Sequence, residues 1–223
     1  MTGRTDAVRF AKTLLVHKEI SSAAISHGKT YESVGVKKYE ETTGNSTIEC
    51  GLYVSSQQPF LCASPDRIVH EDKLIEVKCP YSARNSSIST ETIPYLIKTD
   101  DGQLTLNPEH EYYYQVQGQL FCTGAQSVDF VIFTFVDLLI VHIARNDYFI
   151  ANMVTKLVRF FELYFSTALF DKYIAGEYFE HIVCKCCNNN SDVPGCSGHA
   201  GFIQGFVVMG DDSDHASADD VDA

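Results

Sequence analysis

The chain has 223 residues, 45% of them hydrophobic and 12% aromatic, enough for one good-sized packed domain plus a tail. No segment reads as a membrane span, because the most apolar one, 149–170, is interrupted by Lys156, Arg159 and Glu162. The net charge of −12 argues against a simple nucleic-acid binder, but six Asp and no Lys or Arg lie from position 211 on, so without that tail it is −6.

In chain order, residues 6–16 are predicted to form a short helix, with Val8, Ala11, Leu14 and Leu15 at helical spacing. A second helix is expected from Ser21 or Ser22, either one an N-cap, to Gly44 as the C′ residue. Residues 48–54 read as a first strand and 55–59 as a turn. Residues 62–81 then read as two strands around His70-Glu71-Asp72-Lys73, with Pro80 ending the second. Between 82 and 107, Ser82-Ala83-Arg84-Asn85 can begin a short helix and Asp100-Asp101-Gly102-Gln103 a turn between short strands, the whole a connecting region expected to lie over the face of the hairpin that precedes it. Residues 108–123 are predicted as a helix with Pro108 near N1 and Gly124 after its end. Residues 128–135 and 138–143 form a hairpin turning at Val136-Asp137. A long helix over 147–175 carries an apolar stripe wide enough to cover one sheet face.

The hairpin carries the chemistry. Alternation puts Glu76 and Lys78 on one strand face and Val77 and Cys79 on the other. With Asp66 beside them, the set can hold a hard divalent cation, Mg²⁺ or Mn²⁺, with the amine next to an attacking water. A three-residue loop, His70-Glu71-Asp72, sets Asp66 opposite Glu76, whereas a two-residue turn at Glu71-Asp72 sets it against Val77 and separates the carboxylates. The three-residue loop is the expectation. On the 108–123 helix, Tyr112, Gln115 and Gln119, with Tyr114 and Gln117 nearby, form polar rows.

Ser64-Pro65-Asp66, Glu76-Val77-Lys78-Cys79-Pro80-Tyr81 and Tyr112-Tyr113-Tyr114-Gln115-Val116-Gln117-Gly118-Gln119-Leu120, in this order, resemble the YqaJ-type viral recombinase family, relatives of phage lambda exonuclease among the PD-(D/E)XK nucleases. The resemblance runs over about residues 22–149. It implies an α/β fold with a restriction-endonuclease-like core, a central mixed sheet flanked by helices. It implies a metal-dependent deoxyribonuclease acting 5′ to 3′ on duplex DNA ends in recombination or DNA processing. Two Mg²⁺ or Mn²⁺ ions are implied, held by Asp66, Glu76 and the Val77 carbonyl, with Glu32 of Gly28-Lys29-Thr30-Tyr31-Glu32 completing the second position. Lys78 and Gln115 then serve the water, and Ser64 and Tyr112 contact substrate. A ring-shaped homotrimer is a further implication. Two departures stand out: the family's upstream Arg-x-x-Thr-Ala-Ser-like segment, whose basic residue grips the 5′-phosphate, is not in the chain, and Arg67 replaces the glycine usual after Ser-Pro-Asp. The first bears on polarity and keeps a second function in play, a catalytically inactive DNA-binding or protein-interaction module on the same scaffold.

The expected organisation is a nuclease domain at 1–180, shortened at its N-terminus, a Cys-rich segment at 181–210 and an acidic, disordered tail at 211–223. Without a signal peptide, the eight cysteines are expected to be reduced and the protein intracellular, in nucleus or cytoplasm alike. Cys184, Cys187, Cys196 and His199 have the ligand types of a tetrahedral zinc site, though the loop between them is short and Cys186 is left over. A zinc-dependent interaction module is therefore a third possibility.

Overall fold

The computed structural model describes residues 6–16, 21–70 and 72–175. The zinc quartet, the Cys-rich segment and the acidic tail lie outside the described residues. Two compact units divide the chain.

The larger unit is built on a five-stranded mixed sheet. Its strands are β1 (Ile48–Glu49), β4 (Arg67–His70), β5 (Lys73–Lys78), β8 (Ser127–Phe133) and β9 (Leu138–Ala144), in the spatial order β1-β4-β5-β8-β9. Only β5 and β8 run parallel; the other neighbours are antiparallel. Two small hairpins accompany the sheet, β2 (Tyr53–Val54) with β3 (Cys62–Ala63) and β6 (Leu96–Lys98) with β7 (Leu104–Leu106). The α/β fold with a central mixed sheet flanked by helices is thus the one observed. The single strand expected over 48–54 is instead two short strands in different sheets, interrupted around Gly51.

Helix α2 (Ala23–Thr43) starts where Ser22 Oγ accepts the Ile25 amide at 3.1 Å and stops at Gly44, whose left-handed φ of 73° favours a residue without a side chain. Its Val36 and Tyr39 pack on Ile75, Val77 and Cys79, so α2 covers the odd-numbered face of β5. The approach is close at Gly35, where an added Cβ would lie 2.7 Å from Val77 Cγ1. The opposite face is covered by α3 (Glu111–Thr123), which presents Tyr112, Gln115 and Gln119 to the even-numbered residues. This helix begins later than the sequence suggests. Pro108 lies in a turn, and His110 is the cap, its Nδ1 accepting the Tyr112 amide at 3.2 Å.

At the far end of the sheet, buried Asp129 accepts from Tyr39 Oη at 2.7 Å and meets His142 Nδ1 at 2.9 Å and Lys73 Nζ at 3.3 Å. Burial alone would raise this carboxyl, but the bonds from His142 and Tyr39 and the Lys73 charge more than offset it and hold it low. Tyr39 is pushed up to about 12, first by burial and then by Asp129. Gln117, fully buried, ties α3 to the chain after β9: its Nε2 donates to the Ala144 carbonyl and its Oε1 accepts the Asn146 amide, both at 2.9 Å.

Among the described residues, the smaller unit contains α1 (Ala7–Leu14), capped by Asp6, and residues 154–175. The one helix expected over 147–175 is divided into α4 (Asp147–Phe160), a π turn (Phe161–Phe165) and α5 (Ser166–Ile174). The extra residue in a π turn shifts the apolar stripe, which a fixed 3.6-residue period does not register. From Val154 the stripe groups with α1, where Phe10 meets Phe160 at 5.7 Å and Lys172 Nζ donates to the Leu15 carbonyl at 2.8 Å. Residues 82–86 form turns, not a helix, and four residues, Thr134-Phe135-Val136-Asp137, join β8 to β9 where two were expected.

Candidate active site

The hairpin register decides whether the acids converge. Arg67 pairs with Ile75 and Ile68 with Leu74, a register that extended one step places Asp66 opposite Glu76. The route to it differs from the expected three-residue loop. The strands pair as far as His70 and Lys73, leaving two residues between them, and the register shifts between Ile68 and His70. One extra residue on β4, a bulge, undoes the slip that the short turn would impose. Asp66 accordingly turns onto β5, where its Oδ2 accepts the Val77 amide at 2.7 Å.

Glu76 and Lys78 are both buried, 3% and 5% exposed, which for two charged groups requires internal partners. Lys78 Nζ lies 3.0 Å from Glu76 Oε1 and 4.5 Å from the centre of the Tyr112 ring. Gln115 Nε2 donates to Glu76 Oε1 at 2.6 Å, and Gln119 Nε2 to Oε2 at 2.7 Å. Gln115 thus binds the carboxylate and not the lysine. Gln119, one helical turn further along, holds the other carboxylate oxygen. The polar row on α3 contained it, but only the fold shows that both amides meet the same acid. The Oε1 atoms of Gln115 and Gln119 are buried and accept no hydrogen bond among the described residues.

Asp66 is held well above the usual carboxylate range, first by burial, then by the charges of Glu76 and Glu32; the Val77 amide and Lys78 oppose this only partly. All three predicted acids therefore share one electrostatic neighbourhood. Glu32 also meets Arg67, whose Nη1 lies 3.8 Å from Glu32 Oε1 and donates to the Asp66 carbonyl at 2.7 Å, and whose Nη2 reaches Glu49 at 3.2 Å. Among the described residues no three His, Cys, Asp or Glu side chains stand together as a ready cation cage. The donor set still fits a hard divalent ion: Asp66, Glu76 and the Val77 carbonyl are all oxygen ligands, and such ions need only one or two carboxylates beside water and phosphate. A neighbourhood that raises a buried acid is one that a cation would relieve.

Ser64 is exposed, with its hydroxyl 3.5 Å from the Gly51 carbonyl. Tyr112 lines a cleft with Ala24, Gly28, Lys78, Cys79, Pro80 and Tyr95, so the connecting region contributes Tyr95 over the site. The described cysteines, 50, 62, 79 and 122, form no disulfide, and no described helix is long and apolar enough to cross a membrane.

Residues 5–126 match the YqaJ-like viral recombinase domain. Among solved structures, an alkaline exonuclease, LHK-Exo from Laribacter hongkongensis, matches with 26% identity and a TM-score of 0.57, over 77% of this chain and 92% of that one. The complex of LHK-Exo with dAMP matches at 30% identity and TM-score 0.57, over 72% of this chain and 77% of that one. The uncharacterized protein R354 of Acanthamoeba polyphaga mimivirus is 28% identical over 123 residues, 50% of this chain and 20% of that protein. The chain thus spans about a fifth of the length of that curated relative.

Proposed function

The chain belongs to the YqaJ-like viral recombinase domain family, and on that premise we propose that it is a metal-dependent nuclease that hydrolyses phosphodiester bonds of duplex DNA from an end. One observation carries the proposal: the buried Glu76–Lys78 pair, with Asp66 opposite it and two glutamine amides locking the carboxylate. A purely structural ion pair would not need a second, strained acid beside it. The likeness to an alkaline exonuclease supports cleavage from ends, and the complex of that relative with dAMP supports deoxynucleotide release.

Asp66, Glu76 and the Val77 carbonyl would hold Mg²⁺ or Mn²⁺, and Glu32 a second ion, supplying charge stabilisation to the attacking and leaving oxygens. Gln115 and Gln119 fix the Glu76 carboxylate so that its free lone pairs keep one direction. Lys78, held between Glu76 and the Tyr112 ring, orients the water and faces the negative charge that grows on the phosphate. Gln115 Oε1 offers the acceptor that a bound water needs. Ser64, exposed between β3 and β4, is available to a phosphate oxygen. The 5′ to 3′ polarity and a ring-shaped trimer belong to the same proposal.

The test is incubation with linear duplex DNA and Mg²⁺ or Mn²⁺, with and without EDTA, beside Lys78→Ala. Metal-dependent release of mononucleotides, lost in the variant, supports the enzyme. DNA binding with no cleavage by the unaltered chain would instead identify a non-catalytic binding module, a reading supported by the contact of Arg67 with Glu32.

A further inference from the structure

Beyond Lys78 and its parallel partner Ile132, the two strands run out into loops that each place an aromatic residue three positions on, Tyr81 and Phe135. The crevice beyond the carboxyl ends of parallel strands is where open α/β sheets bind ligands. The His27 ring of α2 lies 5.5 Å from Tyr81 and 5.6 Å from Phe135, and the Tyr31 ring lies 4.8 Å from Phe135. These contacts are edge-to-face, so each pair takes up at most one face of one ring rather than stacking two faces together. Tyr81, Phe135 and Val136 are 36%, 46% and 62% exposed, unusual for a cluster this aromatic. The Arg84 guanidinium stacks on Tyr81 at 4.0 Å, while its carbonyl accepts the Phe135 amide at 2.8 Å and ties the two loops together.

The position of this cluster relates it to the catalytic row. On α2, Ala24 and Gly28 line the cleft with Lys78, and His27 and Tyr31 form the adjacent helical row under Tyr81 and Phe135. A strand with a phosphate at Lys78 therefore has its neighbouring nucleotide beside exposed rings and a guanidinium. Aromatic faces with an arginine for the backbone are what unpaired nucleotides require, whatever their sequence. We propose that Phe135, Tyr81 and Arg84, backed by His27 and Tyr31, form a shelf on which an unpaired base of single-stranded DNA stacks next to the phosphate being cleaved. This rests on the phosphodiesterase reading above for the position of the strand, but not for the stacking itself.

The chain contains no tryptophan, so Phe135→Trp introduces a single reporter on the shelf. The full chain carrying it is titrated, in EDTA so that nothing is cleaved, with a short oligodeoxyadenylate and with an abasic oligomer of equal length and charge. Quenching of the tryptophan emission by the first and not the second is expected. Phe135→Leu, which keeps apolar bulk without a ring, is expected to bind the base-bearing oligomer at least about fivefold more weakly, with abasic binding and Tm unchanged. Equal quenching by both oligomers, equal affinity of the Leu variant, or no binding of either oligomer overturns the shelf. Base-dependent quenching in a protein that cleaves nothing would leave the shelf standing and remove the nuclease reading. Metal-dependent cleavage with no base-dependent quenching would do the reverse.

Discussion

Replacing Asp66 with Asn tests the claim that burial and the charges of Glu76 and Glu32 destabilise the ionised Asp66 carboxyl. Residues opposite one another on antiparallel strands have Cβ atoms roughly 5 Å apart, and two unit charges at that distance repel by about 3 kcal/mol at an effective dielectric near 20. Lys78, 3.0 Å from Glu76, offsets part of this, so relief of about 1–2 kcal/mol is expected on removing the Asp66 charge. Asn keeps an oxygen to accept the Val77 amide, so the backbone contact survives. For a chain of this size the gain corresponds to a Tm rise of about 2–8 °C in EDTA near neutral pH. The pH dependence has a definite sign. Because burial first, and then Glu76 and Glu32, raise the Asp66 carboxyl in the folded state, the folded chain holds a proton that the unfolded chain has released. Wild-type stability therefore declines as pH rises from the ordinary carboxylate range through the raised value, and the Asn advantage opens over that same window and vanishes below about pH 4. Thermal melts in EDTA from about pH 4 to about pH 8 measure it. Added Mg²⁺ is expected to raise the wild-type Tm and leave the Asn variant unmoved. An Asn variant that melts at or below the wild type at neutral pH in EDTA would refute the reasoning.

Gln119→Met removes one donor from a buried carboxylate while preserving volume; a loss of about 1.5–3 kcal/mol in chemical denaturation and a fall in kcat are expected. Since the Gln119 Oε1 accepts nothing among the described residues, no second bond is lost with it, and unchanged stability would show that Glu76 does not rely on α3. Gly35→Ala would push a methyl to 2.7 Å from Val77 Cγ1 and 3.3 Å from Phe133 Cβ. Overpacking of about 1–3 kcal/mol is expected from denaturant titration, with α2 and its Glu32 displaced; a neutral variant would mean that α2 is not seated on β5 as described.

How much of this was legible follows from the range of the interactions. Ser22 and Gly44 mark the limits of α2 because capping and left-handed backbone are properties of a few consecutive residues. Alternation alone puts Glu76 with Lys78 and Val77 with Cys79, and the helices on the two faces respect it. The Ala144 and Asn146 partners of Gln117, and the three partners gathered around Asp129, had no local signal, since their members lie on separate elements.

The sequence by itself determined the acid–lysine face of β5, the polar row on α3 and the caps of α2, because each is written in spacing over one or two turns of chain. Tertiary structure decided the rest: a bulge on β4 that keeps Asp66 opposite Glu76 despite a short turn, the assignment of Gln119 to the Glu76 carboxylate, and the attraction of Glu32 toward Arg67. Those outcomes depend on distances between side chains far apart in the chain, which form only once the helices have settled on opposite faces of one sheet.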